Sequence, residues 1–359
     1  MSTLRVTAEQ LTIHPHPDAD ALELAQVGLF HAVVAKGAYR TGDWAVYIPE
    51  SALLPDGLVE EIGLTGKLAG SKRNRVKAIR LRGELSQGIV CRPQQLVDRD
   101  LAAEHEAGTD FSGELGITKW VPEVPLHMSG DFVPAPDLLR WIEIENVKRY
   151  PDVFEPDEPV VATEKIHGTA CLYTYVAATG EGFVSSKGQG AKNLALAHAE
   201  DNLYWKAVTA HGVPEAARKA AERFGADRVG VFGEVFGSGV QDLAYGETGR
   251  SEHPGYAVFD IRVDADGTRT WIDAADLPAL LEDLDLPQAP TVYEGPYDEA
   301  ELLAAAQGEE TWSGGGLHLR EGVVVRPARE RFSNVLVGRA IAKFVSDAYL
   351  TRRGGTEYE

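Results

Sequence analysis

Cysteine is scarce in this chain: its 359 residues include only Cys91 and Cys171, and no CxxC pair. Two isolated cysteines exclude a disulfide framework and a cysteine-based zinc site, and they fit a reducing compartment. The sequence shows no apolar signal core at its start and no run near the roughly 18 apolar residues that a membrane span needs. We therefore expect a soluble, cytoplasmic protein with no membrane partner.

The two commonest nucleotide-binding loops are also missing, because the chain has no GxGxxG and no GxxxxGK[ST] pattern. If a nucleotide binds, neither a Rossmann loop nor a P-loop holds it. The apolar fraction is 44% and the charged fraction 25%, an ordinary globular composition. Chain length and composition together predict two domains, each with its own core.

Basic residues are fewer than acidic ones, and the formal net charge is −20. Such a balance argues against nucleic-acid binding unless the basic groups are clustered. They are clustered in "KLAGSKRNRVKAIRLRG", residues 67–83, which contains no acidic residue. This block predicts either a polyanion-binding face or a solvated strand pair. The residues predicted to contact nucleic acid are Lys72, Arg73, Arg75 and Lys77.

The first 95 residues contain five short runs of alternating or β-branched residues bounded by turn-forming residues. Five strands suit a small closed barrel, most commonly an OB-fold. The strings "HPDADALEL" and "RGELSQG" resemble the tRNA-binding OB modules attached to some aminoacyl-tRNA synthetases. We predict an OB-fold module plus a proline-rich linker over residues 1–130, and a second domain over residues 131–359.

The second domain is predicted to be α+β with mainly antiparallel sheets, because strand runs are interleaved with separate helices. A helix is predicted at 137–150, ending before Pro151. The other predicted helices lie at 193–209, 213–224, 273–284 and 297–307, with a short one at the end of the chain. The predicted strands lie at 159–166, 170–177, 182–187, 229–235, 255–263, 268–272, 319–326 and 334–344.

Charged residues recur at the edges of strands that otherwise look buried: Lys165, Glu234, Glu321 and Lys343. Buried charges are costly unless they are paired or functional, so several of them indicate one cleft. A lysine amine is a nucleophile once it is deprotonated, and burial with a neighbouring cation, Lys187 or Lys343, lowers its pKa. Carboxylates that position a divalent cation, together with lysines that neutralise phosphates, favour phosphoryl or nucleotidyl transfer.

These residues resemble the motifs of the covalent nucleotidyltransferases, the superfamily of DNA ligases, RNA ligases and capping enzymes. "EKIHGT", residues 164–169, resembles motif I in the form that RNA ligases use. In the correct order follow "SSKG" (motif Ia), "VFGEVFG" (III), "YAVFDI" (IIIa), "EGVVVR" (IV) and "AIAKFVS" (V). "RWIEIEN" resembles the segment that precedes motif I in phage-type RNA ligases. An OB module before such a core is similar to RNA ligases of the Deinococcus type.

The resemblance implies an ATP-dependent RNA ligase that uses Mg²⁺ or Mn²⁺. Lys165 would be the nucleophile that becomes lysyl-AMP, and Glu234 and Glu321 would hold the metal. Gln241 would serve the later, nucleic-acid steps. The nucleotide-binding residues implied by the motifs are Glu164, His167, Gly168, Lys187, Glu234, Phe259, Glu321 and Lys343. The implied partner is RNA, or a duplex containing RNA, with 3′-OH and 5′-phosphate ends, bound by a monomer that seals nicks in RNA repair.

The sequence departs from the family pattern in ways that leave alternatives open. Phage-type ligases often have Lys-Arg in motif Ia and K-x-K in motif V, whereas this chain has Lys187-Gly188 and only Lys343, followed by Val345. Which family lysine Lys343 replaces stays open. A DNA ligase, an end-adenylating enzyme and a capping-type guanylyltransferase remain alternatives. An alternative of another class is a non-enzymatic RNA-binding protein with a decayed ligase core, and Phe259 has a plain alternative as a core residue.

Overall fold

The computed structural model describes residues 3–122, 130–247 and 252–355, which divide into two compact units. One unit contains the chain up to Val121 together with Glu145–Pro151, and the other contains Pro122–Ile144 and the chain from Asp152 onward. The domain division after residue 130 stays a prediction. Residues 123–129, which belong to the predicted linker, lie outside the described residues.

Short antiparallel strands build the first unit. Its strands are β1 (Thr7–Gln10), β2 (Thr12–Pro15), β3 (Leu22–Val27), β4 (Phe30–Ala35), β5 (Trp44–Ile48), β6 (Ala52–Leu53), β7 (Ile79–Leu81), β8 (Glu84–Ser86), β9 (Ile89–Cys91) and β10 (Thr118–Lys119). Its helices are α1 (Asp56–Glu61) and α2 (Leu101–Glu106), with a 3₁₀ turn at Gln94–Leu96. The hydrogen-bonded groups are β1-β5-β9, β2-β3-β4, β6-β10 and β7-β8.

Two apolar clusters form the core of the first unit. One includes Val6, Val46 and Ile48, and the other includes Ala25 and Phe30. One of the five short runs of the sequence, "LELAQVGLFHAVVA" at residues 22–35, forms a hairpin rather than one strand, because Gly28 takes a positive φ of 55° between β3 and β4. The remaining predicted runs all contain strands, as expected.

The predicted helix at 137–150 is wrong. This region contains β12 (Glu145–Asn146), in the first unit, and 3₁₀ turns at Val147–Arg149 and Pro151–Val153. It follows β11 (Phe132–Pro134) of the second unit. The apolar residues do not form one face of a helix, since Leu138 and Leu139 pack into separate clusters. Tertiary packing therefore overrides a weak local preference for helix in this segment.

The second unit is mixed α and β, and all of its paired strands are antiparallel. Its further strands are β13 (Pro159–Glu164), β14 (Thr169–Val176), β15 (Glu181–Ser186), β16 (Leu194–Leu196), β17 (Arg228–Phe236), β18 (Gly255–Ala265), β19 (Thr268–Trp271), β20 (Thr291–Pro296), β21 (Gly322–Pro327), β22 (Phe332–Ser333), β23 (Gly338–Arg339) and β24 (Ala342–Val345). Its helices are α3 (Lys187–Gly190), α4 (Leu203–Ala210), α5 (Val213–Phe224), α6 (Leu277–Asp283), α7 (Glu299–Ala305) and α8 (Asp347–Leu350).

Two sheets organise the second unit. The larger has the order β11-β16-β15-β14-β17-β18-β19, and the other contains β24-β21-β13-β20. Helix α5 covers one face of the larger sheet with its alanine stripe, where Ala217 and Ala220 are fully buried beside Val231. No helix among the described residues is long and apolar enough to cross a membrane.

Two other predicted elements differ from the structure. The helix predicted at 193–209 begins only at Leu203, because Asn202 caps it and residues 194–196 pair with neighbouring strands as β16. The strand predicted at 334–344 is interrupted by the turn of the β22–β23 hairpin, where Val337 has a φ of 49°. Strand β20 has no counterpart in the sequence prediction. The α+β, antiparallel class itself is confirmed.

Candidate active site

The segment that carries the candidate nucleophile crosses from one sheet to the other. Strand β13 of the smaller sheet ends at Glu164, and strand β14 of the larger sheet begins at Thr169. The backbone N–H of Lys165 donates to the carbonyl oxygen of Gly322 at 2.9 Å, which ties the crossover to the start of β21. Lys165 is thereby fixed where the two sheets meet.

Two glycines make this close approach possible. A Cβ atom at Gly168 would lie 2.1 Å from the carbonyl oxygen of Val235 and 3.0 Å from Cγ of Glu234. A Cβ atom at Gly322 would lie 2.1 Å from the carbonyl oxygen of Phe344. Any side chain at either position would push apart strands that carry candidate site residues, which explains physically why motif I and motif IV contain glycine here.

Lys165 and Glu321 form an ion pair at the centre of the site. The Nζ atom lies 2.6 Å from Oε1 of Glu321, and the lysine side chain is 27% exposed. Burial lowers the pKa of Lys165, but the charges of Glu321 and Glu234 raise it more, so the pKa lies above its usual value. The amine is therefore protonated in this arrangement.

This result corrects the expectation that a neighbouring lysine lowers the pKa of Lys165. Lys187 forms its own ion pair with Glu143 at 2.7 Å. The cation whose charge lowers the pKa of Lys165 is Arg352, and its effect is smaller than that of the carboxylates. The site is acidic around the amine because strands β17 and β21 bring their carboxylates to it.

The two carboxylates differ in protonation. Burial raises the pKa of Glu321, but the charges of Lys165 and His167 outweigh this and hold the pKa at about 2. Burial raises the pKa of Glu234 to about 7, because Lys165 only partly offsets burial and Glu321 adds repulsion. A cation between these groups would favour the ionised form of Glu234.

A divalent metal fits this pair of carboxylates. The Oε2 atom of Glu321 is buried and accepts no hydrogen bond from the described residues, although it lies 3.4 Å from Nδ1 of His167. No group of three or more His, Cys, Asp or Glu residues able to hold a metal occurs in the described part of the chain. Mg²⁺ commonly binds through one or two carboxylates, with water and substrate phosphates completing its shell.

His167 lies in a buried polar network, with its side chain 5% exposed. Its Nε2 atom lies 2.8 Å from Oδ1 of Asp242, and its Nδ1 atom lies 2.9 Å from the hydroxyl of Tyr349. Its backbone N–H donates to the hydroxyl of Tyr245 at 2.7 Å. Burial lowers the pKa of His167, but the hydrogen bond to Asp242 and the nearby carboxylate of Glu321 raise it above its usual value.

Glu164 is held by the loop that precedes β21. Its Oε2 atom accepts from the backbone N–H of Thr311 at 2.7 Å and also from the Thr311 hydroxyl. Its Oε1 atom is buried without a hydrogen-bond partner among the described residues. Burial raises the pKa of Glu164 despite these hydrogen bonds. One carboxylate oxygen is thus oriented by the protein, and the other is left as an acceptor.

The other predicted site residues lie on the elements that surround this centre. Phe259 is half-buried at an irregularity of β18, where Phe232 pairs with Asp260 and Gly233 pairs with Val258. A β-bulge of this kind redirects a side chain, and Phe259 packs near Trp141 with ring centroids 6.0 Å apart. This position is compatible with either alternative for Phe259, stacking on adenine or packing in the core.

Gln241 and Lys343 occupy positions close to motif I and motif IV. The Nε2 atom of Gln241 donates to the carbonyl oxygen of Gly168 at 3.0 Å, so this side chain supports the crossover segment. Lys343 lies on β24 opposite Val324 of β21. Val345, two residues after Lys343, lies opposite Gly322. The assigned roles of these residues stay predictions.

The predicted nucleic-acid contacts of the first unit fall into two groups. Lys72 and Arg73 are exposed. Arg75 and Lys77 are half-buried, and the guanidinium of Arg75 stacks on Trp120 at 3.2 Å from the ring centroid. The exposed pair suits phosphate contact, whereas Arg75 contributes to packing within its own unit.

Several residues that shape the site were not predicted from the sequence: Thr311, Asp242, Tyr245, Tyr349 and Arg352. Asp242 directly follows Gln241, so the motif could have drawn attention to it. The others come from loops and from the segment after β24, where no local pattern marks them. Asp260, by contrast, is a buried structural residue that pairs with Arg326 at 2.9 Å.

Comparisons with known proteins agree with this architecture. A family model described as RNA ligase matches residues 158–345, and a model of an OB-fold domain matches residues 5–93. A mutant of Naegleria gruberi RNA ligase with ATP and Mn is 21% identical with a TM-score of 0.77, covering 96% of this chain and 98% of that one. The same ligase with PPi has a TM-score of 0.75, covering 96% and 97%. This likeness shows a shared fold. A comparison with curated proteins found no match.

Proposed function

Because this chain belongs to the RNA ligase family, we propose that it is an ATP-dependent RNA ligase that joins 5′-phosphate and 3′-OH ends. The observation that carries the proposal is the ion pair of Lys165 with Glu321, at 2.6 Å, under the added charge of Glu234. An amine fixed between two carboxylates at a sheet junction suits a nucleophile that attacks a phosphorus atom beside a metal ion.

The reaction has three balanced steps. Nζ of Lys165 first loses a proton to solvent; the neutral amine then attacks the α-phosphorus of ATP, the bond to pyrophosphate breaks, a second proton leaves the nitrogen and lysyl-AMP forms. A 5′-phosphate oxygen of the RNA then attacks the same phosphorus, the P–N bond to Lys165 breaks and the departing nitrogen takes up a proton. Finally a 3′-OH attacks the adenylated 5′-phosphate, a phosphodiester forms, the hydroxyl proton is released to solvent and AMP leaves. Each step is an in-line phosphoryl transfer, so one site serves all three.

Residues of this chain divide the work of the first step. Glu234 and Glu321 would hold Mg²⁺ or Mn²⁺, which neutralises phosphate charge when bound. Glu164, with its unpaired Oε1, is placed to accept from an exocyclic amino group such as that of adenine. Lys187 and Lys343 supply positive charge for the phosphates, and Phe259 supplies a ring face for the base.

The first unit would bind the RNA. Its OB-fold and the exposed Lys72 and Arg73 support this role, since phosphate contacts come from lysine and arginine. We assign the OB-fold module to residues 1–130 and the adenylation domain to residues 131–359. We further propose that the protein is a cytoplasmic monomer that seals nicks in RNA repair; its two cysteines, both buried and unpaired, fit a reducing compartment.

The primary test is transfer of label from α-labelled ATP to the protein with Mg²⁺ or Mn²⁺. We expect an acid-labile labelled band with ATP, none with α-labelled GTP, and none after chelation of the metal. Lys165→Ala should abolish the band, whereas Lys192→Ala, an exposed lysine of the same unit, should leave it intact. An unlabelled wild-type protein would favour the RNA-binding alternative.

A second test identifies the nucleic acid. Nicked duplexes that differ only in ribose or deoxyribose at the 3′-OH side should be sealed at different rates, with ribose preferred. Equal sealing of an all-DNA nick would indicate a DNA ligase. Accumulation of adenylated 5′ ends without joining on every substrate would indicate an end-adenylating enzyme.

A further inference from the structure

The segment that follows β24 turns back toward the candidate active site. Helix α8 begins after Ser346, whose hydroxyl accepts from the backbone N–H of Tyr349. The chain then continues to Arg352, two residues beyond the end of α8 at Leu350. No motif in the sequence contains this arginine, and it takes no direct part in the proposed reaction.

Every nitrogen of the Arg352 guanidinium contacts a protein group of the site. Nε and Nη2 donate to the two oxygens of Asp242 at 3.0 and 3.1 Å, and Nη1 donates to the carbonyl oxygen of Tyr349 at 3.0 Å. Nη2 also lies 3.3 Å from Nε2 of His167. The side chain is 9% exposed, and its guanidinium stacks on the ring of Tyr349 at 3.7 Å.

These contacts connect Arg352 to the nucleophile through a short chain of residues. Asp242 accepts from Nε2 of His167 at 2.8 Å, which orients the imidazole ring. The opposite nitrogen of His167 lies 3.4 Å from Oε2 of Glu321, and the other oxygen of Glu321 contacts Lys165 at 2.6 Å. Arg352 therefore sets the position of Asp242, and through it those of His167 and Glu321.

We propose that Arg352 is a positioning residue for nucleotidyl transfer: it holds Asp242 and His167 so that Glu321 faces Lys165. This inference rests on the proposed ligase function. The side chain has its donors directed at protein atoms, which distinguishes this role from a direct contact with substrate. The planar fork of arginine is required, because a lysine cannot span both oxygens of Asp242 and the Tyr349 carbonyl together.

The chain offers a matched control in the neighbouring Arg353, which is exposed. Arg352→Gln and Arg353→Gln remove the same charge one residue apart. The measurement is the single-turnover rate of lysyl-AMP formation over a range of ATP concentrations. At saturating ATP we expect Arg352→Gln to slow lysyl-AMP formation at least about tenfold. The ATP concentration that gives half the maximal rate should change less than about twofold. Arg353→Gln should match the wild type.

Two further variants separate positioning from folding. Arg352→Lys keeps the charge, so its rate of lysyl-AMP formation should lie between those of the wild type and Arg352→Gln. Tyr349→Phe removes only the hydroxyl at Nδ1 of His167 and should also lower the rate without raising the ATP requirement. The double variant Arg352→Gln with Asp242→Asn should be no slower than the slower single variant, because both act through one contact. Thermal unfolding of each variant identifies any loss of folded protein.

Equal rates for Arg352→Gln and Arg353→Gln, with the wild type labelled, would overturn the inference and leave the proposed function standing. A higher ATP requirement with an unchanged maximal rate would overturn it as well, since that pattern indicates direct ATP binding. An unlabelled wild-type protein would overturn the proposed function and this inference with it.

Discussion

Lys165 and Glu321 face each other at 2.6 Å across the junction of two sheets, although 156 positions separate them in the sequence (321 − 165). Their partnership depends on the backbone hydrogen bond from Lys165 to Gly322, which brings the end of β13 to the start of β21. The charges of Glu321 and Glu234 raise the pKa of Lys165, and the charge of Lys165 lowers the pKa of Glu321.

Glu321→Gln should reduce lysyl-AMP formation by about 100-fold or more, because the amide keeps the shape but loses the charge facing Lys165 and the metal. The measurement is the single-turnover labelling rate with saturating ATP and Mg²⁺. Glu309→Gln, at an exposed position of the preceding loop, is the control and should react at the wild-type rate. A Glu321→Gln protein with wild-type labelling would remove this carboxylate from the mechanism.

Gly168→Ala should destabilise the protein by about 1–3 kcal/mol, because the new methyl group would overlap the carbonyl oxygen of Val235 at 2.1 Å. The free energy of unfolding from urea titrations measures the effect. Gly57→Ala is a suitable control, since Gly57 lies in helix α1 with nothing near its Cβ position and should gain stability slightly. Equal stability of Gly168→Ala and the wild type would contradict the packing argument.

Glu164→Gln should weaken the preference for ATP over GTP. Glu164 presents an acceptor oxygen, whereas glutamine can rotate to present an N–H donor that suits the carbonyl of guanine. The measurement is the ratio of label transferred from ATP and GTP at equal concentrations. Thr311→Val should lower ATP labelling by releasing Glu164, and Thr311→Ser, which keeps the hydroxyl, should not. An unchanged ratio in Glu164→Gln would place this residue away from the base.

Some elements could be predicted well because the sequence signals that define them are local. Helix α5 begins at Val213 and ends at Phe224 as predicted, since its alanines repeat at helical spacing and glycines flank it at both ends. The motifs of Lys165, Glu234 and Glu321 were likewise recognisable, because each residue lies in or directly beside a strand and has a glycine within three residues. The RNA ligase family and the OB-fold are both confirmed by the family models.

Contacts between distant positions explain what the sequence could not predict. His167 and Arg352 approach each other across a separation of 185 residues, and Thr311 reaches Glu164 across 147. No spacing rule connects such positions. The same reason accounts for the direction of the pKa of Lys165, which depends on carboxylates that the fold assembles. The false helix at 137–150 likewise arose because Leu138 and Leu139 find partners outside their own segment.

Glu158→Gln should destabilise the protein at pH 7, with a loss that disappears in acid. Burial raises the pKa of Glu158, but two hydrogen bonds from Arg331 and its charge outweigh this and hold the pKa below its usual 4.5. A carboxylate with a lowered folded-state pKa stabilises the fold above its unfolded pKa, and this stabilisation is lost as pH falls through the folded pKa.

The measurement is the free energy of unfolding of both proteins at pH 7 and at several values below 4.5, wherever both remain folded. The difference between wild type and Glu158→Gln should narrow as pH falls. Glu282→Gln, at an exposed position, should show no difference at any pH. A gap that stays constant with pH would mean that Glu158 acts through packing rather than through its charge.

Lys72 and Arg73 should contribute to RNA binding through charge alone. Replacing both by glutamine should weaken affinity for RNA of any sequence and reduce the slope of log affinity against log salt by about 2. Arg75→Gln should instead lower the stability of the first unit, because it loses the stack on Trp120 at 3.2 Å. Filter binding across a salt series and thermal unfolding distinguish the two effects. An unchanged salt slope in the double variant would mean that the basic block is a solvated surface, and RNA would then have to be held elsewhere on the protein.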